Sequence, residues 1–578
     1  MSHRFSPRAN RAAEIGWMEW GNDAFARAAS TNRPILLGIS AVWCHWCHVM
    51  DETTYSDQRV IDLIREHYVP IRVDNDQRPD INARYNMGGW PTTAFLSPKG
   101  DIITGGTYIA PDDFVDALEQ VAQLWATDRD DLEARMNAKQ HTHTHAHPPG
   151  KIEPDAPAAI ARAIVGGYDE EFAGFGTTPK FPQSDALQFL LLLYRRDRVE
   201  GRADERLYDI LARTALAMAR GGMYDHVEGG FFRYSTTRDW SIPHFEKMAE
   251  DHAGLLRFYA DLYRVSANPQ FAQTLRSALR WLRGVLRNPD SPLFGGSQDA
   301  DEEYFSLALE SRQKRTAPYV DRTVYTNWNA GLASALVAAS IALDDDTLLE
   351  EARATVDALC SEMTAPDGLA MHFRTPGGEP QVRGLLTDQV ALLDALLSVH
   401  AATGIAAHLD RAQSLADATI ARLRREDGSF VDTDDASALG NVQIPHAPLD
   451  ENAALADALL RLGAILHEDR YTHVARAILE SFGSKWQRAG SFAATYGAAL
   501  MRLLAEPLTI TISGALEHSA ALRDAALRLP DPLAVVHTSV SNQSPFATIC
   551  SGTSCAAPAT DAATLQESWD ALRQLPVR

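Results

Sequence analysis

The chain has 578 residues, 45% hydrophobic and 22% charged, which is length enough for three or four domains with large cores. Its 54 Lys and Arg stand against 76 Asp and Glu, a formal charge of −22, the wrong sign for a protein that tracks duplex nucleic acid or an anionic membrane. Apolar runs such as Phe189–Leu193 are far too short to span a bilayer, the N-terminus shows no signal peptide, and five cysteines are too few for a secreted disulfide scaffold, so a reducing cytoplasm is the expected address.

Asn22–Thr31 reads as a helix with Phe25 on its inner side, and Pro34–Ser40, nearly all apolar, as a buried central strand. The stretch Trp43-Cys44-His45-Trp46-Cys47-His48 follows it. Asp57 is placed to cap a helix over Gln58–His67. Val69–Val73 and Thr93–Leu96 read as further strands, the turn Ser97–Gly100 leads to Asp101–Gly105, and Asp112–Trp125 closes the region as an amphipathic helix. Strand, C-x-x-C, helix is the thioredoxin-like redox arrangement. A thiol at a helix N-terminus faces unpaired N–H groups and the positive dipole end, which favours its thiolate. Cys44 is that thiol, with His45 and His48 adding positive charge, and Cys47, one turn further in, resolves a mixed disulfide. Pro91, after Gly88-Gly89-Trp90 and before a strand, suits the cis-proline that packs against such a pair. The pair also reads as half of a zinc site that Cys550 and Cys555 would complete, although four intervening residues are wide for the second half and the Pro91 context favours redox. No cofactor is implied.

Lys139–Pro157 is polar and proline-rich and separates this region from the next. His141, His143, His145 and His147 alternate within it. They would share one face of an extended chain and could hold a metal transiently, the plainer reading being a solvated linker.

From 158 to 505 the sequence places twelve Ala- and Leu-rich helices, roughly 158–172, 184–199, 204–221, 246–266, 269–287, 327–343, 347–363, 386–403, 406–424, 450–466, 470–484 and 491–504. A loop recurs between the helices of each pair: Gly174-Phe175, Gly230-Phe231, Phe294-Gly295, Gly368-Leu369, Gly428-Ser429-Phe430 and Gly490-Ser491-Phe492, every 56 to 73 residues. Such repetition predicts six helical hairpins closed into an (α/α)6 ring, with all six loops on one face. The loops hold the unusual residues. Asp225, His226, Arg233, Tyr234, Trp240, His244, Glu246 and Lys247 lie in the second; Asp299, Asp301 and Trp328 in the third. His372 and Asp388 lie in or just after the fourth; His446 and Asp450 in the fifth. Polar and aromatic groups at the mouth of an apolar ring predict a pocket for a small polar ligand such as a carbohydrate. Carboxylates such as Asp299, Asp301, Asp388 and Asp450 could flank a glycosidic bond. His244, His372 and His446 could move a proton beside a carbonyl. Asp388 and Asp450 equally suit helix caps, and Glu246 with Lys247 an ion pair.

Leu508–Ser513, Leu533–Thr538 and Ala547–Cys550 read as strands, and Glu517–Arg528 and Thr564–Leu572 as helices, giving a small α/β segment. Cys550 and Cys555 flank its turn Ser551–Ser554, as a pair that exchanges with Cys44 or as two ordinary thiols.

The string Trp43–Met50 (WCHWCHVM) resembles the signature of the spermatogenesis-associated protein 20 family, as do Gly88–Thr92, Pro179–Pro182, Gly221–Tyr234, Pro243–Met248, Ser297–Asp301 and Asn327–Asn329. The resemblance implies a thioredoxin-like domain fused to an (α/α)6 barrel, which itself resembles the six-hairpin glycosidases and N-acylglucosamine 2-epimerases. It also implies a cysteine pair near Cys550 and Cys555. Two features depart from ordinary thioredoxins: Gly38 stands where they carry a buried acid, and His45-Trp46 replaces Gly-Pro between the cysteines. The expected organisation is a thioredoxin-like domain (1–138), a linker (139–157), the barrel (158–505) and a small α/β domain (506–578). The expected function is thiol–disulfide exchange at Cys44 and Cys47, with Pro91 shaping the groove for a protein thiol or disulfide. The alternatives are a carbohydrate-active enzyme with an accessory redox domain, and a binding scaffold without turnover.

Overall fold

A computed structural model describes residues 5–140, 150–435 and 437–574. The alternating histidines His141–His147 lie outside the described residues. The chain divides into two compact units, Met1–His147 with Thr433–His446, and Pro148–Asp432 with Ala447–Arg578.

The first unit runs α1 (Asn22–Thr31), β1 (Ile35–Ser40), α2 (His45–Glu52), α3 (Gln58–His67), β2 (Val69–Asp74), α4 (Pro79–Tyr85), β3 (Thr92–Leu96), β4 (Ile102–Gly106) and α5 (Pro111–Gln140). Its sheet has the order β2-β1-β3-β4, with β1 parallel to β2 and antiparallel to β3. β1 is covered on both faces, which is why its sequence is apolar rather than alternating. Asp57 caps α3 through Arg59 N, as its position predicts. The segment Thr433–His446 follows the fifth hairpin's first helix in sequence yet folds here. Val442 lies in the core cluster with Ile35, Ile71, Ile81 and Tyr85. Tyr85 Oη donates to Gly100 O and accepts from Asn441 N, at 2.8 and 2.7 Å.

The second unit begins with α6 (Ala156–Gly166), α7 (Ser184–Val199) and α8 (Glu205–Arg220). The hairpin β5–β6 (Tyr234–Ser235, Pro243–His244) and the strand β7 (Lys247–Met248) follow. Next come α9 (Ala249–Ser266), α10 (Pro269–Trp281), β8 (Ser297–Gln298) and the short helices α11 (Glu302–Phe305) and α12 (Leu309–Arg312). Beyond β9 (Val320–Asp321) and β10 (Val324–Tyr325) lie α13 (Thr326–Leu343), α14 (Asp346–Glu362), β11 (Met371–Arg374) and β12 (Gln381–Arg383). The remaining hairpins are α15 (Leu386–Thr403), α16 (Ala406–Leu423), α17 (Leu449–Leu466), α18 (Asp469–Phe482) and α19 (Ala494–Leu504).

The chain of packing contacts α7-α9-α13-α15-α17-α19 closes from α19 back onto α7, so these form the inner ring of an (α/α)6 toroid. α13 and α15 are apolar nearly all round because protein covers every side of them. Each inner helix is preceded by an outer one, such as α10, which buries only the stripe Phe271, Ala272, Leu275, Ala278 and Leu279. The inside of the ring is not purely apolar as expected. Arg257, Asp394, Arg461, Asp457 and Arg502 form a network across α9, α15, α17 and α19. Burial opposes charge on Asp394, but Arg461 and Arg257 hold its carboxyl well below the usual range.

The loop repeats have a shared geometry. In five crossings from outer to inner helix the chain makes one antiparallel bridge: Tyr168 with Phe175, Tyr224 with Phe231, Arg287 with Phe294, Thr364 with Ala370, Arg424 with Phe430. The fourth residue of the following inner helix clamps four of these. Phe231 N donates to His252 Nε2 at 2.9 Å; Phe294 N to Asn329 Oδ1, Ala370 N to Gln389 Oε1 and Phe430 N to Asn452 Oδ1, each at 2.7 Å.

The C-terminal part comprises β13 (Leu508–Gly514), α20 (Ala520–Arg528), β14 (Val535–Val540), β15 (Phe546–Ser551), β16 (Ser554–Cys555) and α21 (Ala562–Gln574). Its sheet order is β14-β13-β15-β16, with β13 parallel to β14 and antiparallel to β15, and β15 antiparallel to β16. That repeats the order and sense of β2-β1-β3-β4, down to the helix after the last strand.

Candidate functional site

α2 begins where β1 ends, and the turn between them places Cys44 at its N-cap. Cys44 Sγ accepts from Cys47 N at 3.2 Å. Cys44 and Cys47 are joined as a disulfide with their Cα atoms 5.2 Å apart. Both residues are buried, while His45 and Trp46 between them are exposed. Trp43 Nε1 donates to Asp76 Oδ2 at 2.7 Å, and the Trp43 ring meets Trp90 edge-on at 5.9 Å, which fixes the residue leading into the pair. His48 Nε2 lies 3.1 Å from Val42 O. The Trp90–Pro91 peptide is cis and directly precedes β3.

Gly38 pairs with Arg72 on β2 and Thr93 on β3. A Cβ there would come within 3.3 Å of the Trp17 ring and the Tyr55 hydroxyl, so those groups fill the space a buried acid would need. A buried ion pair stands nearby in the fold instead. Asp51, four residues beyond Cys47 on α2, takes both guanidinium nitrogens of Arg72 at 2.7 and 3.0 Å. Tyr55, whose surroundings include both charges, is pushed up to about 12, chiefly by burial.

The second place of interest is a cavity of about 580 Å³ in the toroid. It is lined by the first turns of α7, α9 and α17 and by the loops carrying Phe181 and Phe492. Its carboxylates are Asp185, Glu250, Asp251 and Asp450. Asp185 is reached by solvent yet hemmed in by protein, and its carboxyl is raised by that enclosure and then by Asp450. Asp251 is raised to about 7 by burial, with Glu250 and Glu246 adding to this and Arg233 opposing it. Phe181, Tyr234 and His244 stack in succession, with centroids 4.6 and 4.8 Å apart. His244 Nδ1 lies 2.8 Å from the buried carboxylate of Glu246. A second dyad, His372 with Asp388, is buried, with Nδ1 2.9 Å from Oδ2. Burial raises the Asp388 carboxyl while His372 opposes the shift.

Other expected site residues serve the scaffold. Asp225 is buried against Lys247 and Arg312 at 2.7 Å each, and its Oδ1 accepts from Val227 N, so it braces the second loop. Glu246 and Lys247 are therefore not each other's partners. Trp240 is 1% exposed, its Nε1 donating to Phe172 O and Ala173 O. Asp301 caps α11 through Tyr304 N, and Asp299 accepts from Ala300 N. Trp328 packs on Tyr325 at 4.4 Å, and exposed His226 lies 3.1 Å from Gly221 O. His446 belongs to the segment that folds with the first unit. Cys550 and Cys555 are joined to each other. Among the described residues, no group of three or more His, Cys, Asp or Glu is arranged to hold a metal ion. Asp185 and Asp251 are not among the residues that the loop pattern singles out. Their signal is a carboxylate in the first turn of successive inner helices, where Asp388 and Asp450 also stand.

Residues 6–143 match a thioredoxin-type family model described as a protein of unknown function, DUF255. The chain is similar to spermatogenesis-associated protein 20 of Rattus norvegicus, 32% identical over 311 residues, which cover 50% of this chain and 39% of that protein. It thus spans about two fifths of the length of that relative. The thiol:disulfide interchange protein DsbD of Campylobacter jejuni is 29% identical over 94 residues, 16% of each chain. Among solved structures, a D-mannose isomerase aligns over 61% of this chain and 98% of its own, with 11% identity and a TM-score of 0.49. No described helix is long and apolar enough to cross a membrane.

Proposed function

We propose that the chain is a thiol–disulfide oxidoreductase of the cytoplasm, acting through Cys44 and Cys47. The observation that carries this reading is the bonded pair at the start of α2, with Cys44 Sγ as the helix cap. The match of residues 6–143 to a thioredoxin-type family model, and the likeness of 94 residues of the chain to a thiol:disulfide interchange protein, support it. In the reduced form the N–H groups of α2 favour the Cys44 thiolate. That sulfur attacks a substrate disulfide and expels one substrate thiol. Cys47 then attacks Cys44 Sγ and expels the second, leaving the Cys44–Cys47 disulfide for another thiol to reduce. A titration against glutathione buffers with thiol mapping tests it. Reversible formation of Cys44–Cys47 near cytosolic potentials is expected; a pair that stays in one state throughout refutes the reading.

The toroid cavity is read as a pocket for a polar, carbohydrate-like ligand. Phe181 and Phe492 in its lining offer ring faces, and Asp251, whose proton is retained to about pH 7, offers a hydrogen-bond donor near neutrality.

A further inference from the structure

The C-terminal sheet repeats the thioredoxin-like order of the first unit, yet Ala515–Ser519, which follows β13 where the Cys44 turn follows β1, contains no cysteine. Its sulfurs stand one hairpin away instead. Cys550 on β15 faces Cys555 on β16 directly, with Cα atoms 4.0 Å apart and a disulfide between them. The hairpin turns through Gly552, at φ +54°, and Thr553.

Several observations separate this bond from a structural staple. β16 is the edge strand and only two residues long. Cys555 is exposed and Cys550 half-buried, with Gly552, Thr553 and Ser554 all exposed around them. Ala547 and Ile549 point into the core, so Cys550, between Ile549 and Ser551, lies on the opposite face of the strand. The hairpin is already held by Ala556 N to Ile549 O at 2.9 Å and by the paired bonds of Ala547 with Ala559. The bond closes one of the shortest loops a disulfide can close, and short loops constrain the unfolded chain least. Exposed disulfides of this kind are the exchangeable ones.

We propose that Cys550–Cys555 is a second redox site, a disulfide that accepts electrons from a reduced dithiol, and that the chain's own Cys44–Cys47 pair is such a donor. The second half rests on the redox reading of that pair. The Cys44 thiolate attacks the Sγ of Cys555, the more exposed residue of the two, forming Cys44–Cys555 and expelling Cys550 as a thiolate that takes up a proton. Cys47, losing its proton, attacks Cys44 Sγ and expels Cys555. One dithiol is oxidised, one disulfide is reduced, and no other reactant enters. The donor is the pair of the same chain or of a second copy.

The test is trapping in the full-length Cys47→Ser chain, which cannot complete the second step. After N-ethylmaleimide quenching, non-reducing peptide mapping is expected to find Cys44 joined to Cys555 and Cys550 alkylated. A yield independent of protein concentration assigns exchange within one chain; linked dimers that increase with concentration assign exchange between copies. An intact Cys550–Cys555 disulfide with Cys44 fully alkylated overturns the donor assignment, even where wild-type Cys44–Cys47 cycles with glutathione. The full-length Cys44→Ser/Cys47→Ser chain isolates the site itself. Reversible reduction of Cys550–Cys555 by glutathione supports it without reference to the first pair, and a bond that stays oxidised at every ratio overturns it.

Discussion

Asp251 stands in the first turn of α9 with one carboxylate oxygen buried and without a hydrogen-bond partner among the described residues. Burial raises its pKa from 3.8 to about 7, so the native chain holds this proton more tightly than the unfolded chain does. The contribution to stability is therefore most favourable below pH 4 and is lost as pH rises towards 7. Asp251→Asn removes that loss. Above pH 7 the variant is expected to be more stable than wild type, by on the order of 1–3 kcal/mol, with the gap closing towards pH 4 in denaturant titrations. Ligand-induced thermal stabilisation at pH 6 by mono- or oligosaccharides, present in wild type, kept in Asp251→Asn, whose amide also donates, and lost in Asp251→Leu, is the expected sign of a working pocket. Nothing local in the sequence sets Asp251 apart from Asp225, one loop earlier. One carboxylate faces Lys247 and Arg312, the other has a buried oxygen with no hydrogen-bond partner among the described residues, and only the folded neighbours make that difference.

At the scale of the element, the repeated loop shows what a pattern can and cannot convey. Its glycines and aromatics, recurring every 56 to 73 residues, mark the hairpins of the ring because each crossing repeats one backbone solution. The clamps at His252, Asn329, Gln389 and Asn452 escape the same inspection, since three residue types do one job. Burial pushes the His252 imidazole down to about 3, which keeps it neutral and able to accept from Phe231 N. Asn329 also donates to Phe294 O and Tyr325 O at 3.0 and 2.9 Å. Asn329→Leu strands these backbone groups inside the protein and is expected to cost about 2–4 kcal/mol in thermal unfolding. His252→Asn, which supplies the residue used at two sister positions, is expected to cost less than His252→Leu.

Across the whole molecule, sequence order and folded unit part company at Thr433–His446. The segment lies between α16 and α17 in the chain, but Val442 is 4% exposed in the core that contains β1 and β2. Val442→Asp is expected to destabilise the thioredoxin-like unit by about 3 kcal/mol or more, because it buries an unpaired charge. Hydrogen exchange is expected to show lost protection in β1, β2 and β3, with protection in the inner helices retained.

Strand polarity, helix periodicity and a helix-start C-x-x-C are local properties of consecutive residues, so the two architectures and the Cys44–Cys47 pair are legible along the chain. Pairings between distant segments were decided by the tertiary fold: Asp225 with Arg312, His372 with Asp388, Val442 with Tyr85's core, and the repetition of one strand order at both ends of the chain. These depend on which backbones approach one another, and a carboxylate or an apolar side chain carries no record of its partner in the residues beside it.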